Sequence, residues 1–209
     1  ERERERECSY GDEVLMATKN GFACRFSSDQ IPSLGRKSRG SRALTLRNGD
    51  VMADFDVLTS TSTSTSLSSD STPKKKKFLL VVTERGYGKR MLVDLFPLQR
   101  RKGKGRTAIK FKNKDGNAER TGRIRGKIRK EADAVVCLRA CDESDEVVLS
   151  TSAGTVTRQH IRDIPVQARL GTGVRIQRLR EKELITMVDI LPSQDQDKTE
   201  SDMTEKNIK

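Results

Sequence analysis

Residues 77–87 read KFLLVVTERGY, and this stretch decides the fold because its pattern occurs three times in the chain. The pattern is an apolar run, a Thr, two further residues and a Gly. It returns without gaps at residues 12–22 (DEVLMATKNGF) and 145–155 (DEVVLSTSAGT). From this Gly, a Pro follows at plus 11 and a second Gly at plus 19 in every copy: Pro32, Pro97 and Pro165, then Gly40, Gly105 and Gly173. Such repetition predicts stacked units of equivalent structure.

Each copy has the residue pattern of β-strands joined by tight turns. Two short apolar runs around a turn that ends in Gly predict a hairpin, because Gly accepts the positive φ of such turns. A second strand pair is predicted after the second Gly, at residues 43–46 and 51–58 around Asn48-Gly49, and at residues 174–179 and 184–190 in the third copy. Four strands in about 45 residues are typical of a propeller blade. The sequence therefore predicts an all-β fold, a partial β-propeller of three four-stranded blades.

The repeats divide the chain into six segments. A charged, low-complexity lead (1–11) precedes repeat 1 (12–58), and a flexible Ser/Thr- and Lys-rich insertion (59–76) separates it from repeat 2 (77–141), which contains a basic insertion (111–130). Repeat 3 (142–191) and a polar tail (192–209) follow. The insertion 59–76 and the tail are expected to be disordered, because their composition cannot support a core.

Composition excludes several classes of protein. The formal net charge is +12, which favours a polyanionic partner. No apolar run reaches the roughly 20 residues of a membrane span, and the chain has no Trp, so a membrane partner is not expected. Cys8, Cys24, Cys137 and Cys141 form no C-x-x-C pair and the single His lies apart from them, which predicts reduced thiols of an intracellular, soluble protein rather than a zinc site.

The excess charge lies in one stretch. Residues 97–130 contain 14 Lys and Arg against two acids, and the remaining 28 basic and 28 acidic residues cancel. Smaller basic loops occur at the same position of repeats 1 and 3, and Arg178 and Arg180 extend the third. Cations interleaved with Gly favour phosphate contacts on duplex DNA, since the aromatic residues used to stack single-stranded bases are nearly absent. The predicted DNA-binding residues are Arg36, Lys37, Arg39, Arg42, Gln99, Arg100, Arg101, Lys102, Lys104, Arg106, Arg169 and Arg175.

These motifs resemble a known family. Residues 83–90 (TERGYGKR), residues 99–105 (QRRKGKG) and residues 31–40 (IPSLGRKSRG) are similar to the C-terminal domain of the DNA gyrase A protein. The resemblance covers residues 12–191 and implies a β-pinwheel, a propeller relative whose blades exchange strands and whose basic rim wraps DNA. Residues 99–105 match the family heptad Gln-Arg-Arg-Gly-Gly-Lys-Gly except that Lys102 replaces a Gly.

The resemblance also implies a larger context. Gly-Tyr-Gly-Lys-Arg is typical of the family's fifth blade, so repeats 1–3 are interpreted as blades four to six, with the remaining blades and the DNA-cleaving domain upstream of Glu1. The parent would be an ATP-dependent type II topoisomerase in which ATP and Mg bind elsewhere and the gyrase B protein and a second gyrase A protein are partners. No cofactor is expected in this chain. A cytoplasmic location is implied if the protein is bacterial, and a plastid or other organelle if it is eukaryotic.

One class of function is not expected, and two alternatives remain. Catalysis within this chain is not expected, because no phosphate-cradling motif is present and His160 has no evident catalytic neighbours. The corresponding C-terminal domain of topoisomerase IV is the alternative within the family. A propeller used as a protein-interaction scaffold is the alternative from another class, and it would not need its charge in one loop.

Overall fold

The computed structural model describes residues 11–58, 78–111 and 133–193, which form antiparallel β-strands. Repeat 1 contains β1 (Glu13–Thr18), β2 (Phe22–Ser27) and β3 (Met52–Leu58). Repeat 2 contains β4 (Phe78–Thr83), β5 (Tyr87–Leu92), β6 (Arg106–Thr107) and β7 (Val135–Cys141). Repeat 3 contains β8 (Glu146–Thr151), β9 (Val156–His160), β10 (Val174–Arg175) and β11 (Ile185–Leu191). A short 3-10 helix follows the second strand of each repeat, at Ser28–Gln30, Val93–Leu95 and Ile161–Asp163.

The Thr and Gly of the repeated pattern form the hairpin turns, as predicted. Gly21 N donates to Thr18 O (2.9 Å), and Phe22 N donates to Thr18 Oγ1 (3.3 Å). Thr83 and Thr151 accept the same two bonds in the other hairpins. We call Gly21, Gly86 and Gly154 the turn glycines; their φ angles lie between 79° and 81°, a region that a Cβ atom disfavours.

Consecutive repeats exchange strands. The first sheet has the order β3-β1-β2-β6 and the second has the order β10-β5-β4-β7, so each receives its outer strand from the following repeat. The pairs are registered Ala23 to Arg106 and Gly88 to Val174. Among the described residues, the third sheet contains β11-β8-β9 and no donated strand. The predicted all-β, three-blade fold is confirmed, and so is the strand exchange that the resemblance implies.

A pair of strands was predicted after the second Gly of repeats 1 and 3, and the first strand of the pair is wrong in repeat 1 and too long in repeat 3. Residues 43–46 form no strand, and β10 ends at Arg175 instead of continuing to residue 179. The alternating pattern of residues 43–46 has another cause: Leu44 is buried in a small core, while Thr45 N donates to Gly103 O (2.9 Å) of the next repeat. The last members, β3 and β11, lie where they were predicted.

Two apolar cores lie between consecutive sheets. Alternate residues of a strand face opposite sides, so β4 contributes to both. Leu79 packs in one cluster with Leu15 of repeat 1, and Leu80 packs in the other with Leu149 of repeat 3. Cys137 belongs to the second cluster, and it is a free buried thiol like Cys24 and Cys141, as predicted. Repeat 2 therefore packs against repeat 1 on one face and against repeat 3 on the other.

Several predictions concern residues outside the described ranges. These are the lead up to residue 10, the insertion 59–76, the basic insertion beyond Phe111, and the tail from residue 194. Phe111 itself is buried against the turn glycine Gly21. No helix within the described ranges is long and apolar enough to cross a membrane.

Candidate nucleic-acid interface

The three basic loops share one backbone hydrogen bond. We call residues 34–40 loop 1, residues 99–105 loop 2 and residues 167–173 loop 3. In each, the amide of the fifth residue donates to the carbonyl of the second: Ser38 to Gly35 (2.9 Å), Gly103 to Arg100 (3.2 Å) and Gly171 to Ala168 (2.9 Å). The repeat alignment therefore identifies structurally equivalent loops even though their side chains differ. The turn conformation differs at the fourth residue, which has a positive φ in loop 2 (Lys102, +71°) but not in loops 1 and 3.

The Gly that ends loop 2 and the Gly that ends loop 3 bring the chain onto the preceding repeat. Gly105 has φ +67°, and a Cβ atom there would lie 2.8 Å from Ala23 O. Gly173 has φ +75°, and its Cβ atom would lie 2.9 Å from Gly88 O. Only Gly combines a positive φ with this backbone contact at low cost. The next two residues then pair with the second strand of the preceding repeat, which fixes the position of the loop.

The third residue of loops 2 and 3 is an anchoring arginine. Arg101 Nη1 donates to Arg42 O (2.7 Å) and Ser41 Oγ (2.9 Å), just after loop 1. Arg169 Nη1 donates to Thr107 O (2.8 Å), the equivalent carbonyl after loop 2. Both side chains are half-buried, and each connects its loop to the preceding one. These arginines were predicted to bind DNA, and the structure shows that part of their donor capacity is used between loops.

Four exposed cations, three within loop 2 and Arg106 directly after it on β6, are called the outward cations of loop 2. Arg100, Lys102, Lys104 and Arg106 are exposed, whereas the residues between them are half-buried. Gln99, another predicted DNA contact, is one of the half-buried residues, and its Oε1 accepts a bond from Cys24 Sγ (3.4 Å). The alternation leaves four positive charges exposed between Arg100 and Arg106, in the stretch where the resemblance and the charge count both predicted the interface.

The outward positions of the other loops carry fewer charges. In loop 1 they are occupied by Gly35, Lys37 and Arg39, followed by Ser41, and every one is exposed. In repeat 3 the equivalent residues are uncharged: Ala168 and Leu170 are exposed, whereas Thr172 and Val174 are half-buried. At these four equivalent positions the number of cations therefore falls from four in repeat 2 to two in repeat 1 and none in repeat 3, and the other exposed cations of repeats 1 and 3 lie at different positions.

The remaining predicted residues lie around the loops. Arg36, at the anchoring position of loop 1, is exposed, as is Arg42 beyond the loop. Arg175 is exposed on β10, where its Nη2 donates to Tyr87 Oη (3.0 Å) and its guanidinium carbon lies 5.5 Å from the centre of that ring. The structure thus brings Arg175 to the hairpin of repeat 2 and holds it there.

Sequence reasoning did not identify the buried residue beneath loop 3, Lys89. Its Nζ donates to three carbonyl oxygens of the loop, those of Ala168 (2.9 Å), Arg169 (2.8 Å) and Gly171 (3.0 Å). Burial, and to a smaller extent the nearby Arg169 guanidinium, lower the pKa of Lys89 to about 7. The signal that could have found it was a lysine within an otherwise buried strand. Cys24 holds the equivalent place beneath loop 2, where burial raises the pKa of its thiol.

Comparisons with known proteins agree with this geometry. The sequence model of one family, described as "DNA gyrase C-terminal domain, beta-propeller", matches residues 12–59, 77–117 and 145–191. The DNA gyrase A protein of Synechocystis sp. is 31% identical over 200 residues, which is 87% of this chain and 21% of that protein. The chloroplastic/mitochondrial DNA gyrase A protein of Arabidopsis thaliana is 32% identical over 209 residues, 96% of this chain and 21% of that protein. The chain thus spans about a fifth of the length of these relatives.

Two solved structures share the fold. The C-terminal domain of DNA topoisomerase IV superposes with a TM-score of 0.69 at 18% identity, covering 95% of this chain and 52% of that one. The DNA gyrase A C-terminal domain superposes with a TM-score of 0.66 at 20% identity, covering 87% and 51%. At these identities the likeness establishes the architecture alone.

Proposed function

The chain belongs to the family of DNA gyrase C-terminal domains, and from this premise we propose that it binds duplex DNA through the outward cations of loops 1 and 2. The observation that carries the proposal is the set of four exposed cations on loop 2. A duplex that touches successive loops of stacked repeats follows a curved path, so binding favours bent or wrapped DNA.

The chemistry of loop 2 suits phosphates rather than base edges. Lys and Arg supply charge, and the glycines between them allow a phosphate to approach the backbone amides. Such contacts carry no sequence information, so we expect the chain to bind different duplexes with similar affinity. They release counterions, so the affinity falls steeply with salt.

The wider role follows from the same premise. We propose that wrapping by this domain supports DNA supercoiling by an ATP-dependent type II topoisomerase, with ATP, Mg, the gyrase B protein and the second gyrase A protein all acting outside this chain. The relatives include bacterial proteins and plant proteins named as chloroplastic or mitochondrial, so the finer proposal is a cytoplasmic location in a bacterium and an organellar one in a eukaryote.

Two alternatives make different predictions. The topoisomerase IV alternative rests on a likeness of fold, whereas the relatives matched above 30% identity carry the gyrase A name. A protein-interaction scaffold would show little dependence on salt. Each phosphate contact contributes a slope of about −0.9 in log affinity against log salt, so a salt titration separates a scaffold from a DNA-binding domain.

The decisive experiment removes the outward cations of loop 2. We expect the variant Arg100→Ala/Lys102→Ala/Lys104→Ala/Arg106→Ala to bind a mixed-sequence duplex at least about 100-fold more weakly at low salt, because roughly four phosphate contacts are lost. The magnitude of the salt slope should fall by about 3 to 4. Fluorescence anisotropy at several salt concentrations measures both quantities.

A matched control removes four exposed cations outside the three loops: Lys19, Arg162, Arg180 and Lys182. It lowers the net charge equally but should retain most of the affinity and the salt slope. Equal losses in the two variants would mean that net charge, and not loop 2, determines binding, and would overturn the proposal.

A further inference from the structure

The segment that leaves loop 1 lies directly against loop 2. We call residues 41–45 the exit segment of loop 1. The amide of Lys102 donates to the carbonyl of Ala43 (2.7 Å), and Thr45 Oγ1 donates to Lys102 O (2.6 Å). The amide of Thr45 donates to the carbonyl of Gly103 (2.9 Å). Loops 1 and 2 are therefore joined through the exit segment.

The same connection recurs between loops 2 and 3. The amide of Lys110, which is equivalent to Thr45, donates to Gly171 O (3.3 Å). Arg169, the anchoring arginine of loop 3, donates to Thr107 O (2.8 Å), and Thr107 is the second residue after the Gly that ends loop 2. The contact between a loop and the segment that leaves the preceding loop is therefore a property of the repeat.

Arg101 is held by repeat 1 at both its backbone and its side chain. Its amide donates to Gln30 Oε1 (2.7 Å). Its Nη1 donates to Arg42 O (2.7 Å) and to Ser41 Oγ (2.9 Å). An arginine Nη1 carries two N–H groups, so both are directed to the exit segment. Arg42 is exposed, so Arg101 fixes the piece of backbone that carries a cation of repeat 1.

Arg100 and Arg101 are neighbours with different surroundings. Arg100 is exposed, whereas Arg101 is half-buried and bonded to repeat 1. A cation that contacts a phosphate contributes mainly charge, and its removal lowers the number of counterions released on binding. A residue that joins two loops contributes geometry, because the curvature of a bound duplex depends on where successive contacts lie. The two arginines are therefore expected to act in different ways.

We propose that Arg101 is a positioning residue, which holds the exit segment against loop 2 and thereby fixes the bend of a duplex that contacts loops 1 and 2. This role rests on the proposed function, because the bend exists only if both loops bind the same duplex. Arg101 acts through Ser41 and Arg42 and not through a phosphate. The uncharged residues of the exit segment thus contribute to the shape of the DNA-binding surface.

Energy transfer between dyes at the two ends of a roughly 30-base-pair duplex measures the bend. We expect saturating wild-type protein to raise the transfer efficiency above that of the free duplex, and Arg101→Ala to lose at least half of this rise. The affinity of Arg101→Ala should fall about threefold to tenfold, by the same factor at every salt concentration, so that the salt slope stays within roughly 0.3 of the wild-type value. Arg100→Ala is the matched control, and it should reduce the magnitude of the salt slope by about 0.9 while keeping the bend.

Ser41→Ala tests the same contact from the other side without changing any charge. It removes one of the two acceptors of Arg101 Nη1, so it should lose a smaller part of the rise in transfer than Arg101→Ala. In the Arg101→Ala background it should have no further effect, because the bond that it removes is already absent. Additive losses from the two substitutions would contradict the proposal. Ser41 is exposed and Arg101 half-buried, so circular dichroism should show unchanged folding of each variant.

Two further results would overturn the role of Arg101 and leave the proposed function intact. In the first, Arg101→Ala reduces the magnitude of the salt slope by about 0.9 and keeps the bend, as loss of a phosphate contact would. In the second, the wild type binds through the outward cations of loop 2 but does not raise the transfer efficiency. Failure of the proposed function is a different result, namely an unchanged affinity after removal of the four outward cations.

Discussion

Loops 2 and 3 share their hydrogen bonds but differ in the side chains at equivalent positions. Both contain the same turn hydrogen bond, the same anchoring arginine and the same terminal Gly of positive φ. Repeat 2 has four exposed cations, whereas repeat 3 has Ala, Leu, Thr and Val at the equivalent positions, with Leu170 49% exposed and the Thr and Val half-buried. The comparison teaches that the repeat specifies where a loop lies and that a few outward residues specify what it contacts.

The largest expected effect comes from giving loop 3 the outward residues of loop 2. We expect the variant Ala168→Arg/Leu170→Lys/Thr172→Lys/Val174→Arg to bind duplex DNA about 100-fold more tightly at low salt, because the new cations occupy the positions equivalent to those of loop 2 and contact the same duplex. The salt slope should steepen by about 0.9 for each phosphate gained. Anisotropy titrations at several salt concentrations measure both values.

The control for this graft places the same four charges elsewhere in the third repeat, on exposed residues outside loop 3. Such a variant should gain much less affinity, since its charges do not lie beside loop 2. If the two variants gain equal affinity for DNA, the position of loop 3 does not contribute to binding. The conclusion drawn from the comparison between the loops would then be wrong.

The sequence predicted the parts of the site that depend on local pattern. The hairpin at Thr18 and Gly21 was predictable because its hydrogen bonds lie within the turn. The outward cations of loop 2 were predictable because a high density of charged residues can be counted along the sequence. Strand exchange was harder to locate, since β6 has only two residues and its pattern contains no information about its partner. The burial of Lys89 was missed because its three acceptors come from residues about 80 positions later, in another repeat.

An effect of intermediate size is expected on the pH dependence of stability, and it comes from Lys89, the residue beneath loop 3. The pKa of Lys89 is about 7 in the folded chain and near 10.5 when exposed, so between these values the unfolded chain binds more protons. Stability must then rise with pH in this window, by up to about 1.4 kcal/mol for each pH unit, and be flat below pH 7, where Lys89 is protonated in both states.

The measurement is the free energy of unfolding by urea for the wild type and for Lys89→Met at several pH values. Other titrating groups contribute equally to both proteins. The difference between their free energies of unfolding should therefore shift in favour of the wild type from pH 7 to pH 10. Cys24→Ala, the matched change beneath loop 2, should show no such shift between pH 6 and 8. A constant difference between the wild type and Lys89→Met across the whole range would contradict this account.

The smallest expected effect concerns Lys102, which combines an unfavourable backbone conformation with one of the outward positive charges. It has φ +71°, a conformation that disfavours a side chain, at the position where the family heptad has Gly. Lys102→Gly should relieve roughly 1 kcal/mol of backbone strain, partly offset by the greater freedom of Gly in the unfolded chain. The same change removes one outward cation of loop 2.

We therefore expect Lys102→Gly to raise the urea midpoint slightly while lowering DNA affinity by no more than about tenfold. Lys104→Ala is the matched comparison, because it removes a neighbouring cation from a residue without positive φ. It should lower affinity similarly without the gain in stability. A loss of stability in Lys102→Gly would show that the lysine side chain stabilises the loop, and the strained residue would then belong to the fold as well as to the interface.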